Sequence, residues 1–283
     1  MPEGDTIHRI AASLAPRLTG KMLERVTTQG LARDVAGRTV TSVAAHGKHL
    51  VIELDNGAYL RAHLGMNGRF RAYERAAGDA MLAKLSPGRV SLALVADDGV
   101  YLWLGAPTIE ISHRRSPRHG MAVEALGPDV LAGDFDPRLA AARAAEHGSR
   151  LIADVLLDQR VVAGIGNIYK CEALFVAGVA PRTRVGQLDA ATLERIYEAA
   201  HRLMIANLEP STRTSSASGP SAGSPPPRAA SFRVYSRTGK PCTRCGTPIS
   251  CTSLGEPARW TWWCPACQPD AANRGTPEPV ERL

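Results

Sequence analysis

The sequence predicts an α+β protein of several domains. These are an N-terminal helix with a β-sandwich, a helical domain with a helix–two-turns–helix element, and a C-terminal zinc-ribbon finger. Three observations predict this fold class. Short β-branched runs joined by Asn-Gly and Asp-Gly turns fill residues 39–104. Helical periodicity then extends from residue 136 to about residue 208. Two Cys-x-x-Cys pairs, separated by 18 residues, follow near the C-terminus.

Five segments follow from these patterns. We predict an N-terminal sandwich domain at 2–125, a helical domain at 126–209 and a finger at 231–268. Residues 210–230 are predicted to be a flexible linker, because 13 of its 21 residues are Pro, Ser or Gly. Residues 269–283 are predicted to be a disordered tail.

The composition argues against a membrane protein. With 283 residues, 44% of them hydrophobic, the chain can bury a real core, yet it contains no apolar run of about 18 residues. Asp5, His8 and Arg9 interrupt the apolar segment that a signal peptide would need. The formal charge of +7 is compatible with a polyanionic partner, although such an excess is also common among soluble proteins.

The first candidate for chemistry is the start of the chain. Removal of Met1 would leave Pro2 with a free secondary amine, which can attack a sugar aldehyde carbon and form an iminium. Glu3 beside it could act as an acid or a base. A helix N-terminus there would lower the pKa of the amine, because its positive dipole end disfavours an ammonium. The alternative interpretation is a frayed chain start.

The helix that follows is expected to open at Asp5–Thr6, with Ile7, Ile10 and Leu14 at helical spacing. We expect it to end near Ala15, because Pro16 cannot donate to the carbonyl four residues back.

Three loops of the β region carry further candidates. Lys48 lies in a His-Gly-Lys-His stretch at a strand start, and Met66 lies in the glycine-flanked loop 63–68. Taken singly, each position favours a plain role, Lys48 as an ordinary surface lysine and Met66 as a packing methionine in a turn. The basic loop 112–120 suits phosphate contact, and it could also be a solvated loop.

In the helical region, the pattern of residues 151–178 predicts two helices separated by glycine-rich turns. Gly164 and Gly166 precede Asn167, which would open the second helix. Backbone N–H groups and the Asn167 amide at that N-terminus could bind a phosphate. The alternative is an αα-corner whose glycines serve only close packing, and both interpretations stay open at this point.

Cys242, Cys245, Cys264 and Cys267 have the spacing of a tetrahedral Cys₄ zinc ribbon. We expect one structural Zn²⁺, whose binding would supply the folding energy of a module too small for its own core.

Between the cysteine pairs the chain must project as a hairpin. Arg259 lies on its return strand, where an arginine suits phosphate or base contact. We expect the neighbouring Trp260, Trp262 and Trp263 to pack the ribbon rather than to stack on bases. Of the remaining cysteines, Cys171 is interpreted as a core residue and Cys251 as an unpaired hairpin residue.

Taken together, these residues resemble the formamidopyrimidine-DNA glycosylase and endonuclease VIII family of base-excision repair enzymes. The resemblance covers Pro2 to about Gln268 and rests on an ordered set of motifs, none decisive alone. The set is Met-Pro-Glu-Gly at residues 1–4, Gly47-Lys48, His63-Leu-Gly-Met66, Gly164-Ile-Gly166-Asn167, the segment 235–242, and the four-cysteine finger that ends Trp-Cys-Pro-Ala-Cys-Gln.

The resemblance implies a DNA glycosylase that is also an abasic-site lyase. Pro2 would attack C1′ of the damaged nucleotide and hold the sugar as a Schiff base, while Glu3 would assist sugar-ring opening and later proton transfers. β,δ-Elimination would then cut the strand. We assign Pro2, Glu3, Lys48 and Arg259 to catalysis. We assign DNA contacts to His63, Met66, Arg114, Arg115, Asn167, Tyr235 and Arg237, with Met66 filling the space that an extruded nucleotide vacates.

The motifs favour one branch of the family without excluding the other. Met-Pro-Glu-Gly leans toward endonuclease VIII enzymes, whose substrates are oxidised pyrimidines. His-Leu-Gly-Met is shared with the formamidopyrimidine branch, whose Asn-Asp-Pro-Arg-Arg-Phe-Gly loop is absent here. The alternatives are a glycosylase that prefers 8-oxoguanine and formamidopyrimidines, or a non-catalytic damage-binding zinc-ribbon protein. The intact Pro2-Glu3 pair with Lys48 favours an enzyme, because a pure binder needs no free amine.

The expected partner is double-stranded DNA that contains oxidised bases or abasic sites. We expect a monomer in the bacterial cytosol or nucleoid, with no membrane contact.

Overall fold

The computed structural model of the chain describes residues 2–29, 35–113, 125–208, 232–255 and 258–270. None of the helices in these ranges is both long and apolar enough to cross a membrane.

The chain divides into two compact units. The first unit is Met1–Gly133 with Met204–Pro226, and the second unit is Asp134–Leu203 with Pro227–Leu283. The domain boundaries predicted above stay predictions. The predicted linker at 210–230 lies outside the described residues, as does the predicted tail from residue 271 onward.

The first unit begins with helix α1 (Gly4–Leu18), which differs from its predicted bounds at both ends. It starts before Asp5–Thr6, and it continues through Pro16 instead of ending near Ala15. Pro16 removes one backbone hydrogen bond in the last turn, but the continued turn buries Leu18 completely. The predicted end is therefore wrong because tertiary burial outweighs the local effect of proline.

Eight strands of the first unit form two four-stranded antiparallel sheets, ordered β1-β6-β7-β5 and β2-β3-β4-β8. Apolar side chains of both sheets and of α1 share one core, which confirms the predicted sandwich. The strands are β1 (Arg25–Thr28), β2 (Val40–His46), β3 (His49–Leu54), β4 (Ala58–His63), β5 (Arg69–Glu74), β6 (Val90–Val95), β7 (Gly99–Leu104) and β8 (Thr108–His113).

The two predicted hairpins are present, β3 with β4 around Gly57 and β6 with β7 around Asp98. Helix α2 (Arg75–Lys84), however, has no counterpart in the sequence prediction. It approaches β7 so closely that a Cβ on Gly78 would lie 2.4 Å from Cβ of Val100. Close packing against the sheet, rather than a strong apolar stripe, therefore holds this helix in place.

The second unit contains helices and the finger. Asp136 accepts the backbone N–H of Arg138 at 2.8 Å, which confirms it as an N-cap with proline at the first helical position. The helix–two-turns–helix element is also present, although its first helix is a single turn. The helices are α3 (Pro137–Ala145), α4 (Ile152–Val155), α5 (Asn167–Ala177) and α6 (Ala190–Ile205).

The finger is an antiparallel hairpin of β9 (Ser250–Leu254) and β10 (Arg259–Trp263). Its base packs on one side of α5, where Cys171 and Phe175 join Val234 and Ile249 in a small core. Cys171 is thus a core residue, as predicted.

Candidate functional site

The Pro2-Glu3 pair is part of a hydrogen-bonded helix start. Glu3 is the N-cap residue of α1, and its carbonyl oxygen accepts the N–H groups of Thr6 and Ile7 at 3.1 and 3.2 Å. Glu3 is 1% exposed and Pro2 is half-buried. Removal of Met1 would place an amine beside this carboxyl at a helix N-terminus, the arrangement that nucleophilic and acid–base catalysis require. The frayed-start interpretation does not fit this geometry.

Asp129 connects α1 with the turn that carries Lys48. Its buried carboxylate lies 2.7 Å from Nε2 of His8 on α1 and accepts the N–H groups of Gly47 at 2.8 Å and Leu131 at 2.9 Å. Burial alone would raise the pKa of Asp129, but the contacts with His8 and the backbone donors outweigh it and hold the pKa below its usual value. One carboxylate therefore positions the helix behind Pro2 and the Gly47-Lys48 turn together.

Lys48 is half-buried, beside two histidines on neighbouring strands. The rings of His49 and His63 lie 4.9 Å apart. Burial, together with the charges of His63 and Arg61, lowers the pKa of His49 to about 3. Burial also lowers the pKa of His63, and the charges of Lys48 and Arg61 add to the effect. Near neutral pH both imidazoles are therefore uncharged, so the positive charge here resides on Lys48 and Arg61.

Met66 lies at the tip of a tight loop and is 60% exposed, so the packing interpretation is wrong. The loop closes through a hydrogen bond from Gly68 N to Leu64 O at 2.9 Å, and a Cβ on Gly68 would approach that oxygen to 2.2 Å. Nδ1 of His63 accepts the N–H of Gly65 at 3.1 Å, as only an uncharged ring nitrogen can. The loop is therefore built to present a methionine outward.

In the second unit, Asn167 opens α5 as predicted, but its amide is engaged inside the unit. Nδ2 donates to the carbonyl oxygen of Trp260 at 2.9 Å, and the buried Oδ1 has no hydrogen-bond partner. The preceding glycine turn is held by Gln159, whose side chain accepts from Gly164 N and donates to Ile165 O. Asn167 thus joins the helix–two-turns–helix element to the finger, and its phosphate contact stays a prediction.

Two further residues of α5 reinforce this joint. Nζ of the buried Lys170 donates to Oγ1 of Thr261 at 2.7 Å. The carboxylate of Glu172 accepts the backbone N–H groups of Arg233, Val234 and Tyr235 at 2.9–3.1 Å. Helix and finger are therefore connected by buried polar contacts as well as by their small core.

The four finger cysteines come together as predicted. All four Sγ atoms lie within 4.8 Å of one another, with Cys245 to Cys264 at 3.5 Å and Cys242 to Cys267 at 3.9 Å. These separations are too long for disulfides and close to the ~3.8 Å edge of a tetrahedron built on Zn–S bonds of about 2.3 Å. The residues present therefore fit a Cys₄ metal site.

Arg259 begins β10 and is exposed. The tryptophans after it differ from one another. Trp262 packs edge-on against Tyr235 with centroids 4.7 Å apart, and the Arg182 guanidinium lies 5.3 Å from the Trp263 ring. Trp260, by contrast, is 62% exposed. The expectation that the tryptophans pack the ribbon is correct for two of them and wrong for Trp260.

Four further predicted DNA contacts are Tyr235 and Arg237, in the finger, and Arg114 and Arg115. The guanidinium of Arg237 donates to the carbonyl oxygens of Phe232 at 3.0 Å and Pro241 at 2.8 Å, so it also shapes the finger base. Tyr235 is half-buried against Trp262. Arg114 and Arg115 lie outside the described residues. The roles of these four residues stay predictions.

Sequence reasoning missed Asp129, Lys170 and Glu172. Each is a charged residue buried to 5% exposure or less. The only signal available was a charged residue among apolar neighbours, as with Lys170 and Glu172 beside Cys171. Their partners are distant in sequence, so local patterns could not identify them.

Comparisons with known proteins show the family to which this chain is related. The family model of the formamidopyrimidine-DNA glycosylase N-terminal domain matches residues 1–104, and that of the formamidopyrimidine-DNA glycosylase H2TH domain matches residues 126–218. "Probable endonuclease 8 2" of Streptomyces coelicolor is 34% identical, covering 97% of this chain and 96% of that protein. "DNA-(apurinic or apyrimidinic site) lyase Nei2" of Mycolicibacterium smegmatis is 35% identical, covering 95% and 99%.

The formamidopyrimidine branch is represented as well. "Formamidopyrimidine-DNA glycosylase" of Rhizorhabdus wittichii is 33% identical, covering 95% of this chain and 100% of that protein. The crystal structure of MutM (Fpg) from Thermus thermophilus has a TM-score of 0.75 at 29% identity, covering 94% and 98%. Lactococcus lactis Fpg, non-covalently bound to DNA with an abasic site, has a TM-score of 0.77 at 22% identity, covering 95% and 100%. The chain therefore belongs to the formamidopyrimidine-DNA glycosylase and endonuclease VIII family of base-excision DNA glycosylases and abasic-site lyases.

Proposed function

We propose that this protein removes oxidised pyrimidines from double-stranded DNA and cuts the strand through a Schiff base on Pro2. The observation that carries the proposal is the Pro2-Glu3 pair, in which a buried carboxyl adjoins the terminal residue at the N-terminus of α1. Removal of Met1 frees the Pro2 amine, and the dipole of α1 favours its unprotonated form, which attacks C1′. The base leaves from C1′, the C1′–O4′ bond then breaks as Glu3 gives a proton to O4′, and the nitrogen of the ring-opened sugar carries the positive charge as an iminium.

The iminium withdraws electrons from the sugar, so a C2′ proton can leave and the 3′ phosphate is expelled. A second elimination expels the 5′ phosphate. Lys48, on the turn that Asp129 anchors, is assigned to hold a phosphate beside the reacting sugar. Asn167 and Arg259, which belong to the second unit, are also assigned to bind phosphates of the DNA. The relative named DNA-(apurinic or apyrimidinic site) lyase Nei2, 35% identical, supports DNA with abasic sites as the partner.

The proposed preference for oxidised pyrimidines rests on the greater similarity of this chain to the endonuclease VIII branch of the family. Four relatives named endonuclease 8 or Nei2 are 34–36% identical to this chain, against 30–33% for four named formamidopyrimidine-DNA glycosylase. Activity on duplexes that carry thymine glycol, dihydrouracil, 8-oxoguanine or an abasic site distinguishes the branches. Faster excision of 8-oxoguanine than of both pyrimidines would assign the protein to the purine branch.

We also propose one structural Zn²⁺ on Cys242, Cys245, Cys264 and Cys267, because four thiols at tetrahedral separations suit that ion. The metal would supply folding energy to the finger and no chemistry to the reaction. The bacterial relatives support a place in the bacterial cytosol or nucleoid. We expect a monomer.

Borohydride trapping on abasic DNA tests the nucleophile. We expect a covalent complex that maps to the N-terminal peptide, and its loss when Met1 is retained or the amine is blocked. Lys48→Ala removes the other amine assigned to the site. It should form less complex, because a phosphate contact is lost, and the complex that does form should still map to the N-terminal peptide. A complex that survives blocking of the amine and maps to a lysine would contradict the assignment.

A further inference from the structure

The indole of Trp260 is the exposed aromatic surface of the finger. The ring is 62% exposed, whereas Trp262 and Trp263 are half-buried by packing within the second unit. Trp262 also donates Nε1 to Oγ1 of Thr238 at 2.8 Å. Exposing a tryptophan to water is unfavourable, because a large apolar surface stays hydrated. A ligand that covers the ring would recover that free energy.

The backbone of Trp260 is held in place. Its carbonyl oxygen accepts the Asn167 amide at 2.9 Å, and its strand partner is Ser253, a small exposed residue that cannot cover an indole. The next residue, Thr261, is fully buried and bonded to Lys170. Because side chains alternate along a strand, Trp260 lies on the face opposite to Thr261. The indole is therefore presented on a pre-organised strand.

The charge around this ring selects the class of partner. The described finger residues, 232–255 and 258–270, contain five Lys or Arg and one acidic residue, Asp270. Trp260 is the exposed large hydrophobic residue of these ranges, so no contiguous apolar patch of the kind that protein interfaces use surrounds it. A single exposed aromatic ring in a basic module is typical of contact with single-stranded or unstacked nucleotides.

We propose that Trp260 is a DNA-contacting residue that stacks on a nucleobase left unstacked when the damaged nucleotide leaves the helix. The proposal rests on the function proposed above, because it takes damaged DNA as the ligand. Extrusion separates the lesion from its neighbours and exposes base faces. Stacking on an aromatic side chain recovers part of that loss for any base, because every base has a π-face.

Binding of Trp260→Ala to a duplex with an uncleavable tetrahydrofuran abasic-site analogue tests the contact. We expect roughly tenfold weaker binding, within the range typical of one stacked base. Trp260→Phe should retain most of the affinity. The slope of log Kd against log salt should equal that of wild type, because no charge is lost. Arg259→Ala is the charge comparator and should reduce that slope.

The matched control is Leu139→Ala, which removes another large exposed hydrophobic side chain, 64% exposed on α3. It should bind like wild type. Tryptophan fluorescence supplies an independent readout. Addition of the duplex should quench wild type, and Trp260→Phe should lose most of that quenching because the other tryptophans remain packed. Zinc content, measured on every variant, separates a contact from a folding defect.

Wild-type affinity of Trp260→Ala, or undiminished quenching in Trp260→Phe, would overturn the proposal. Loss of zinc by both Trp260→Ala and Trp260→Phe would also overturn the proposal, because the indole would then be needed for folding of the finger. Borohydride trapping of wild type keeps the two proposals apart. If Pro2 forms the covalent complex while Trp260→Ala binds normally, only the stacking contact is wrong. If wild type is not trapped, the proposed function fails.

Discussion

The two units hold their candidate residues by different physical means. In the first unit, the Pro2-Glu3 pair precedes a helix that packs on a β-sandwich with an extensive apolar core. In the second unit, the finger has a small core and depends on four thiols and on buried polar contacts from α5. Apolar burial requires neither a bound metal nor a particular protonation state, whereas a Cys₄ site and buried hydrogen bonds fail when one member is removed.

The difference suits the tasks assigned to each unit. Bond making and breaking need groups placed and desolvated within fractions of an ångström, and a large packed core provides that rigidity. Holding phosphates tolerates looser placement, since charge attraction acts over several ångströms. Variants in the two units should therefore fail in different ways, in chemistry for the first and in DNA binding or folding for the second.

The largest effect is expected for Glu3→Gln in the first unit. Base excision should fall by about 10²–10⁴-fold, since an amide cannot exchange protons with the opening sugar. Cleavage of a preformed abasic site should fall less, because that sugar already reaches an open aldehyde. Single-turnover rates on both substrates measure the difference. Equal losses would contradict the proposed division of labour, and unchanged DNA affinity would confirm that the defect is chemical.

Cys264→Ser in the second unit should lose zinc and, with it, the fold of the finger. We expect DNA binding to weaken by at least about tenfold, because the strand that carries Arg259 is no longer held. Cys251→Ser is the matched control, since Cys251 lies on β9 outside the Cys₄ cluster and should keep metal and affinity. Elemental analysis and titration with duplex DNA report both outcomes. If the Cys264→Ser protein lacked zinc and were still active, the finger would not depend on its Cys₄ site, and the proposed contrast between the two units would be wrong.

The smallest effect on activity is expected for Asp129→Asn, which tests the polar joint of the first unit. The free energy of unfolding at pH 7 should fall by about 1–3 kcal/mol, because buried N–H donors lose a charged acceptor. Asp129 has a lowered folded-state pKa, so its contribution is present above the unfolded value of about 3.9 and is lost as pH falls through the folded value.

The gap in denaturant stability between wild type and Asp129→Asn should therefore narrow as pH falls toward 3. Asp134→Asn, at an exposed position, is the control and should match wild type throughout. A gap that is the same at pH 7 and pH 3 would mean that Asp129 does not act through its charge. Excision should slow only a few-fold, because the core still holds α1.

Local patterns in the sequence were sufficient for much of this architecture. Four features each depend on residues close together in the chain. They are the β-strand runs between Val40 and Leu104, the Asp136 cap, the glycine turn before Asn167 and the Cys₄ cluster. The spacing of residues and their backbone preferences determine such features, so they can be predicted from the sequence alone.

Other features of the molecule were decided only by the tertiary structure, because they depend on contacts between residues far apart in the chain. Asp129 meets His8 and Gly47 across 121 and 82 positions, and helix α1 passes Pro16 because Leu18 is buried elsewhere in the core. Trp260 and Trp262 are both tryptophans two positions apart. Only the packing of the second unit leaves Trp260 exposed and covers Trp262 with Tyr235. Such outcomes are set by which distant surfaces meet, and local periodicity carries no information about that.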